Sequence, residues 1–541
     1  MIFNHKYSGS SSVQSKGNQT GMNFVPDVLR DPTYFVGDLN MHIPFREAIS
    51  SLHDVVISDM RFVPKDREEY KKWVAEQEDL WIAEYMTKAD AIREKIDPLS
   101  KELKEVRTEK QKVIGPFYNA RAKYYSYLYD RDYTSWLVLD PVITVHPDEI
   151  FFECFSKDES SYGKLSCSHN VFDNVSEMAY GTTNIDYSAA LYNEFQKIRD
   201  YKNTQLKIDP SGFEMQTTNE DHFKEMKIDL PESWVRGFLQ VSSAMTLSDV
   251  SFELHPMDMA NFLLVLKKHK EKESPRYIKY ILEPGKPIKA VFAPWGITVN
   301  CSRSIYKGDK PQEIKIWGRR RLLILERLLP ICKSIKVRLM GSGLPSFYVA
   351  DLGEMSFTLG LSGWSANDWS SNSNFTLFAN KVETDAHTQQ LVYNKLKGDW
   401  LNTSNSLASS LNMDKNVVES VLFDYAESGR IIYDINKEVY RIRELTKDPL
   451  PMDQLKFASE QEKKAAYFFD NNFIKNFNAE ESDDYIKVQA NVSGKDAVLH
   501  MNKDLRIKQM KCNCSYMYQN GSNGGPCEHI LALRMKYLCK K

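Results

Sequence analysis

The strongest constraint on this chain of 541 residues is an array of cysteine and histidine residues near its end. Cys512 and Cys514 are followed, after twelve residues, by Cys527 and His529. Three thiolates and one imidazole are the donor set of a tetrahedral zinc site in which protein side chains fill every position. Pro526 suits the start of a helix that carries Cys527 and His529 in its first turn. The sequence therefore predicts one structural Zn²⁺ ion.

The residues on either side of this array have regular patterns of apolar side chains. Before it, apolar residues alternate through 486–492 and continue through 499–507, and the sequence Ser-Gly-Lys-Asp at 493–496 has turn composition. After it, Ile530, Leu533 and Tyr537 recur at helical spacing. We therefore expect a ββα arrangement around the metal.

This pattern resembles the SWIM-type zinc finger, which combines C-x-C, a spacer and C-x-H. Such a finger has a hairpin before the first pair and a helix after the second. The resemblance extends from about residue 485 to the end of the chain. It implies zinc binding together with recognition of nucleic acid or protein, and it does not imply catalysis.

Three further motifs lie nearer the middle of the chain: IWGRRR at 316–321, LPSFYV at 344–349 and LGLSGWSANDW at 359–369. With them, the wider chain resembles bacterial SWIM-finger proteins that are encoded beside a MoxR-type AAA ATPase and a von Willebrand A protein. This resemblance implies partner proteins of those two classes and a role in a conflict or defence system.

Charge is nearly balanced overall and unevenly distributed locally. The net charge of −2 provides no global field that attracts nucleic acid. Residues 501–541, however, contain eight Lys or Arg and two Asp or Glu, whereas 455–484 contain four basic and seven acidic residues. This pattern predicts a basic module behind an acidic helix. The candidate phosphate contacts in that module are Arg506, Lys508, Lys511, Arg534 and Lys536.

Cysteine usage and hydropathy favour a soluble, cytoplasmic protein with no membrane partner. Four of the eight cysteines lie in the last thirty residues, and Cys154, Cys167, Cys301 and Cys332 lie in apolar or β-rich segments, as expected in a reducing compartment. The first residues lack a signal-peptide pattern, and no apolar run approaches the roughly 18 residues of a membrane helix. Cys154, Cys167 and His169 imitate half of the C-terminal spacing, but buried thiols are favoured there over a second metal site.

We interpret the chain as an α+β multidomain protein. The predicted regions are a mixed N-terminal segment (1–65), a helical hairpin or coiled coil (66–131), a mixed α/β body (132–385, with a division near 285 as an option), a winged helix (386–445), and an acidic helix with the zinc finger (455–541). For 66–131 the evidence is heptad spacing of apolar residues. The alternative there is a helical layer packed on a globular domain.

The winged helix is predicted from three amphipathic helices followed by a hairpin. Its third helix would present Glu419, Asp424 and Glu427 with one lysine, and phosphates repel carboxylates. We therefore interpret this module as a protein-contact surface or rigid spacer. The basic wing, with Lys437 and Arg441, leaves contact with a nucleic-acid backbone open.

A second basic group lies at the start of a predicted helix spanning 319–329. Arg319, Arg320 and Arg321 follow Trp317, and guanidinium groups beside an aromatic ring are typical of phosphate or base contacts. The alternative is the solvated face of an amphipathic helix whose leucines point inward.

No motif in the sequence supports catalysis. The segment around 335–369 resembles the core of phospholipase-D-like domains, whose chemistry needs a His and a Lys two residues apart on a hairpin strand. Phe347-Tyr-Val-Ala-Asp351 occupies that place, so such a domain would be inactive. A metal with four protein ligands also activates no water.

Two functions follow as expectations, and they are compatible. In the first, a non-catalytic zinc protein binds DNA or RNA through its basic finger while the body acts as an adaptor for partner proteins. In the second, the chain is purely a protein–protein adaptor and does not touch nucleic acid.

Overall fold

The computed structural model describes residues 12–16, 19–24, 33–58, 106, 141–176, 178–184, 192, 195–201, 203–208, 232–271, 274–363, 368–370, 382, 384–445, 459–482, 485–521 and 525–539. The chain divides into two compact units, one formed by Met1–Asp59 with Leu139–Lys541 and the other by Met60–Val138. The helical hairpin expected at 66–131 lies outside the described residues, apart from Val106. Within the described residues, no helix has the length and hydropathy needed to cross a membrane.

The first half of the chain is rich in strands. In chain order its elements are β1 (Ser12–Lys16), β2 (Gln19–Phe24), β3 (Tyr34–Leu39), α1 (His42–Ile57), β4 (Val142–Val145), β5 (Glu149–Phe155), β6 (Ser161–Ser168), β7 (Phe172–Asp173), β8 (Met178–Ala179), β9 (Gly181–Asn184), β10 (Asn203–Ile208), α2 (Glu232–Met245), β11 (Val250–Leu254) and α3 (Pro256–Lys268).

The second half ends in the cysteine-rich region. Its elements are β12 (Ile278–Leu282), β13 (Pro287–Phe292), β14 (Ile297–Ile305), β15 (Gln312–Ile316), a 3₁₀ helix (Arg319–Leu328), β16 (Ser334–Leu339), β17 (Ser346–Asp351), β18 (Met355–Leu361), α4 (Ala386–Asp399), β19 (Leu401–Asn402), α5 (Ser404–Leu411), α6 (Lys415–Glu427), β20 (Ile431–Asp434), β21 (Val439–Ile442), α7 (Glu460–Asp470), β22 (Ile474–Glu481), β23 (Tyr485–Val492), β24 (Lys495–Asn502), β25 (Ile507–Cys512), α8 (Ser515–Asn520) and α9 (Glu528–Cys539).

The strands form several sheets with mainly antiparallel pairing. In the part of the chain that the structure describes, the largest sheet has the order β11-β16-β17-β18-β6-β5-β4-β9. A second has the order β1-β2-β10-β3-β7, in which β8 also pairs with β3 and β10 runs parallel to β2. The remaining sheets are β14-β13-β12-β15, β19-β21-β20 and β22-β23-β24-β25. The mixed architecture expected from the sequence is therefore present.

The centre of the largest sheet is covered on both faces. Every residue of β5 is buried. On one face, the Cys154 thiol lies 3.6 Å from the Leu52 carbonyl oxygen of α1, and a Cβ on Gly163 would lie 3.0 Å from Val55. On the other face, the Glu153 carboxylate lies 3.5 Å from Arg443, the residue that follows β21. Successive strand residues point to opposite faces of the sheet. A strand that is covered on both faces therefore lacks the alternation of buried and exposed residues that a half-exposed strand has.

The helix predicted at 319–329 is present, and it is a 3₁₀ helix that spans Arg319–Leu328. Leu322, Leu325 and Leu328 are all buried and recur every three residues. A 3₁₀ helix has three residues per turn, so this spacing places all three leucines on one side. Gly318, with φ of +73°, precedes the helix in the left-handed region.

The C-terminal module has its own hydrophobic core. The predicted hairpin is present as β23 and β24, and Ser493 and Gly494 in its two-residue turn both have positive φ. Alternate residues of β23, from Ile486 to Val492, face α9 and are buried. The sequence did not predict β22, which forms part of the stretch that we expected to lead from the acidic helix into the finger. The acidic helix itself is α7.

Candidate metal centre and its surroundings

Three elements bring the four predicted ligands together. Cys512 is the last residue of β25, Cys514 precedes α8, and Cys527 immediately precedes α9, whose second residue is His529. The ligand atoms of these four residues all lie within 4.8 Å of one another. Zinc–sulfur bonds of about 2.3 Å in a tetrahedron place ligand sulfurs just under 4 Å apart. The cluster is therefore compact enough to hold one metal ion.

Burial and mutual contacts fit these residues for metal binding. Cys514, Cys527 and His529 are buried, and Cys512 is half-buried. The pKa of Cys527 is lowered to about 4, mainly by a hydrogen bond from Cys512. The same hydrogen bond is the main cause that raises the pKa of Cys512. Burial raises the pKa of Cys514. One thiolate is thus favoured before any metal arrives, and thiolates are the form that binds metal.

The imidazole of His529 is held by its surroundings. Its ring stacks on Phe468 of α7, with 5.3 Å between centroids and 26° between planes. Its Nδ1 is buried without a hydrogen-bond partner in the part of the chain that the structure describes, and it lies 3.7 Å from the carboxylate of Glu528. With four protein donors converging, the centre is closed, as in structural rather than catalytic sites.

The predicted basic side chains of the module differ in exposure. Arg506, which immediately precedes β25, and Lys508 and Lys511 within it are exposed. Arg534 is only partly exposed, and burial lowers its pKa. The Lys536 ammonium is also partly exposed and lies 5.6 Å from the centroid of the Phe469 ring. Of these five predicted side chains, only Arg506, Lys508 and Lys511 are exposed enough to meet a ligand freely.

The three arginines of the 3₁₀ helix do not form a solvent-facing row. Arg319 is buried, donates hydrogen bonds to the carbonyls of Tyr277 and Ala293, and lies 4.4 Å from the Trp295 ring. Burial lowers the pKa of its guanidinium to about 10. This corrects the expectation of a phosphate contact at Arg319, because its guanidinium is used inside the protein.

The other two arginines of this helix also have protein partners. Arg321 is buried, with its guanidinium 3.7 Å from the Asp158 carboxylate. Arg320 is partly exposed and donates a hydrogen bond of 2.7 Å to the Leu266 carbonyl. The expected phosphate contact is therefore corrected at Arg321, while Arg320 is tied to α3 through the Leu266 carbonyl.

The cations of the predicted basic wing, the hairpin of β20 and β21, pair with carboxylates of β20 and of the segment around β5. Arg441 is fully buried and contacts Asp148, Glu149 and Asp434 at 2.7, 3.4 and 2.9 Å. Lys437 pairs with Asp148 and Glu149 at 2.9 and 2.7 Å. These carboxylates lie on or beside β5 and β20. The buried guanidinium of Arg441 is therefore not available for a nucleic-acid backbone, whereas Lys437 is exposed but paired.

A second buried arginine, in the position after β21, extends this network. Arg443 is also fully buried, with Glu153 at 3.5 Å and the Ser242 hydroxyl at 2.8 Å. Ser242 lies in α2, and α2 also contacts α6 and β20. The helix that would read a groove in a DNA-binding module is therefore packed against the body.

The structure reveals a junction that the sequence did not indicate. Asp504, in the loop between β24 and β25, is completely buried. Its Oδ1 accepts hydrogen bonds of 2.9 Å from Trp317 Nε1 and from the Arg276 main-chain nitrogen, and its Oδ2 lies 3.1 Å from Arg276 Nε. The partners are as many as 228 positions apart, and no local pattern links them. This contact joins the C-terminal module to the body.

Comparisons with known proteins do not assign a family. No family model and no curated protein matches the chain. Among solved structures, the chain is similar to the proliferating cellular nuclear antigen of Entamoeba histolytica, at 11% identity and a TM-score of 0.29, over 42% of this chain and 89% of that one. A TM-score of this size does not define a shared fold.

Proposed function

We propose that this is a non-catalytic zinc protein whose SWIM-type finger binds nucleic acid, DNA or RNA, while the body acts as an adaptor for partner proteins. The observation that carries the proposal is the position of the exposed cations. Lys508 and Lys511 lie on β25, and the same strand ends at the metal ligand Cys512. A metal bound there would fix the strand that presents the charges.

Zinc is the ion that best suits the donor set. Three cysteine sulfurs and one imidazole nitrogen are soft to intermediate donors, and their closed arrangement matches structural zinc. When bound, zinc would hold β25, α8 and α9 together and supply no reactive water. The residues that would hold it are Cys512, Cys514, Cys527 and His529.

The body suits a rigid carrier. We assign residues 386–445 to a winged helix because the element order is α4, β19, α5, α6, β20, β21 and the sheet order is β19-β21-β20. Its buried arginines and the packing of α2 on α6 favour a spacer over a groove-reading module. Protein partners, by the resemblance given above, would be a MoxR-type AAA ATPase and a von Willebrand A protein.

A cytoplasmic location is part of the proposal. Cys154, Cys167 and Cys301 are buried free thiols, and burial raises the pKa of each. Unpaired cysteines of this kind are usual in a reducing compartment.

The direct test removes together the exposed cation that precedes β25 and the two exposed cations within it. Each lysine or arginine that contacts a phosphate contributes about −0.7 to −0.9 to the slope of log affinity against log salt. Replacing Arg506, Lys508 and Lys511 by Ala should therefore weaken binding and flatten the slope by about 2. The matched control replaces three other exposed lysines of the module, Lys463, Lys475 and Lys495, by Ala. Equal losses in both triple variants would contradict a β25 site.

The alternative is a protein–protein adaptor of an AAA ATPase-containing defence system without nucleic-acid contact. The observation that favours it is the near-neutral whole chain, whose net charge is −2. Affinity purification of the tagged protein from its native cells distinguishes the two. An ATPase that co-purifies after nuclease treatment, with no oligonucleotide affinity in the purified protein, would favour the adaptor.

A further inference from the structure

The sheet of the C-terminal module has one covered and one open face. The covered face packs on α9. The other face is formed by the alternate residues of β23, β24 and β25, and we call it the open face. Its register aligns Lys487, His500 and Gln509 across the three strands, and likewise Gln489, Val498 and Lys511. None of these six side chains is buried.

Two aromatic rings lie at one end of the open face. Tyr485 is 47% exposed although it belongs to a regular strand. Its ring stacks with that of His500, with 6.1 Å between centroids and 27° between planes. Tyr485 is exposed and His500 is half-buried, so these rings gain little from core packing. They offer π-faces on which a nucleobase can stack.

Cations lie at the same end. Tyr485 pairs with Asn502, and the main-chain nitrogen of Asn502 donates to the Arg506 carbonyl at 3.0 Å. Arg506 is exposed, and Arg276 comes from the body to the same loop through Asp504. The Arg276 contacts with Asp504 use its main-chain nitrogen and Nε, which leaves Nη1 and Nη2 outside them.

The local charge around Asp504 is positive. Burial and the neighbouring Arg276 lower the pKa of Arg506, and Arg276 similarly lowers the pKa of Arg319. The carboxylate of Asp504 thus sits near three guanidinium groups, of which Arg319 also has Glu271 nearby. An anion beside Arg276 and Arg506 would relieve this repulsion, and the phosphate of a nucleic acid is such an anion.

We propose that a single-stranded segment of nucleic acid lies across the open face, with a base stacked on Tyr485 and His500 and its phosphates beside Arg506 and Arg276. This inference rests on the nucleic-acid function proposed above and names both the form of the ligand and a contribution from the body. A duplex hides the faces of its bases, whereas a single strand exposes them to an aromatic platform. In this proposal, Arg276 of the body and Arg506 of the C-terminal module contribute to one nucleic-acid-binding site.

The first experiment compares a fluorescein-labelled single-stranded oligonucleotide, as DNA and as RNA, with the matching duplex. The full-length wild-type protein should bind the single strand at least tenfold more tightly than the duplex. Salt-dependent binding that prefers duplex would overturn this inference and leave the proposed function standing. Absence of binding to any of the probes would overturn both.

The second experiment separates stacking from charge. Tyr485→Ala should weaken single-strand binding roughly tenfold or more without changing the salt slope, and Tyr485→Phe should retain binding because a phenyl ring still stacks. Tyr467→Ala is the matched control, since Tyr467 is 57% exposed on α7, away from the open face. Equal effects of Tyr485→Ala and Tyr467→Ala would contradict the platform.

The contribution of the body is tested at Arg276. Arg276→Gln keeps the main-chain hydrogen bond to Asp504 and should lower the magnitude of the salt slope by about 0.7. Arg506→Gln, which leaves the Asp504 contacts in place, should lower it by a similar amount. Unchanged slopes in both variants, with zinc stoichiometry equal to wild type, would contradict the phosphate contact.

Discussion

The indole Nε1 of Trp317 donates a 2.9 Å hydrogen bond to the completely buried carboxylate of Asp504, 187 positions later in the chain. Trp317 also belongs to the hydrophobic core of the C-terminal module. The module is therefore attached to the body by a polar contact enclosed in apolar surroundings. In such a setting, a lost partner leaves a desolvated group without compensation.

Asp504→Ala should loosen this attachment. It leaves the Trp317 N–H unsatisfied and Arg276 without its carboxylate, which we expect to cost about 3 kcal/mol. The measurement is the urea midpoint together with hydrogen exchange of β22–β25. Asp496→Ala, at an exposed aspartate of the same module, is the control and should change stability by less than about 1 kcal/mol. Similar losses in both variants would contradict the role of Asp504.

Removal of one metal ligand should unfold the C-terminal module selectively. Structural zinc supplies about 10–16 kcal/mol of apparent binding free energy in small fingers. Cys514→Ser should therefore abolish stoichiometric zinc and hydrogen-exchange protection in β23–β25, while the large sheet stays protected. Cys332→Ser, at a half-buried thiol of the body, should keep both. A Cys514→Ser protein with one zinc and native protection would show that the four-ligand assignment is wrong.

Arg441→Ala should destabilise the fold without affecting oligonucleotide affinity. The substitution leaves Asp434 buried without its nearest counter-charge and removes one of the cations beside the buried Glu149, and breaking a buried pair costs about 3–5 kcal/mol. Lys437→Ala, at a residue whose side chain is 42% exposed, should cost less than Arg441→Ala, because Arg441 and Lys164 remain beside the buried Glu149. Chemical denaturation measures both. Reduced affinity with unchanged stability in Arg441→Ala would instead indicate a nucleic-acid contact by the wing.

Stability should fall as the pH drops from about 6.5 toward 4. Burial lowers the pKa of His146 from 6.5 to about 4, so between these values the unfolded chain binds the proton and the folded chain does not. The folded state is thus fully favoured above the unfolded pKa and loses that advantage on acidification. A difference of this size corresponds to roughly 3 kcal/mol.

The test for His146 compares urea unfolding of wild type and His146→Gln across that pH range. Glutamine can still donate to the Ile442 carbonyl, which lies 2.6 Å from His146 Nε2, but it does not titrate. The variant should show a shallower loss of stability. Some loss should remain, because burial also lowers the pKa of His53 to about 4. Identical pH profiles would contradict a buried neutral His146.

Features with local causes were predictable from the sequence. The caps Thr403 and Asp414 each accept a hydrogen bond from the first turn of the following helix, as their side chains suggest. The alternation of Ile486, Val488 and Ala490 indicated a strand with one buried face, and the structure has that strand. The four candidate metal ligands needed only their spacing.

Features that depend on tertiary packing were not predictable. Cations on a hairpin such as Arg441 usually remain in solvent, and only the position of β5 shows where their carboxylates are. The strand β22 was missed because an exposed, acidic edge strand carries no hydrophobic alternation. Arg319 resembled a surface charge because its acceptors, the carbonyls of Tyr277 and Ala293, lie in other segments.

The central claim is tested most directly by measuring zinc content and oligonucleotide affinity on one preparation, from low to physiological salt. The account predicts one zinc per chain and a log–log slope of about −2 or steeper, with binding lost when a chelator removes the zinc and regained when zinc is restored. One zinc with no binding, or binding that is insensitive to salt and to chelation, would contradict the nucleic-acid function. The C-terminal module would then be a surface for protein partners.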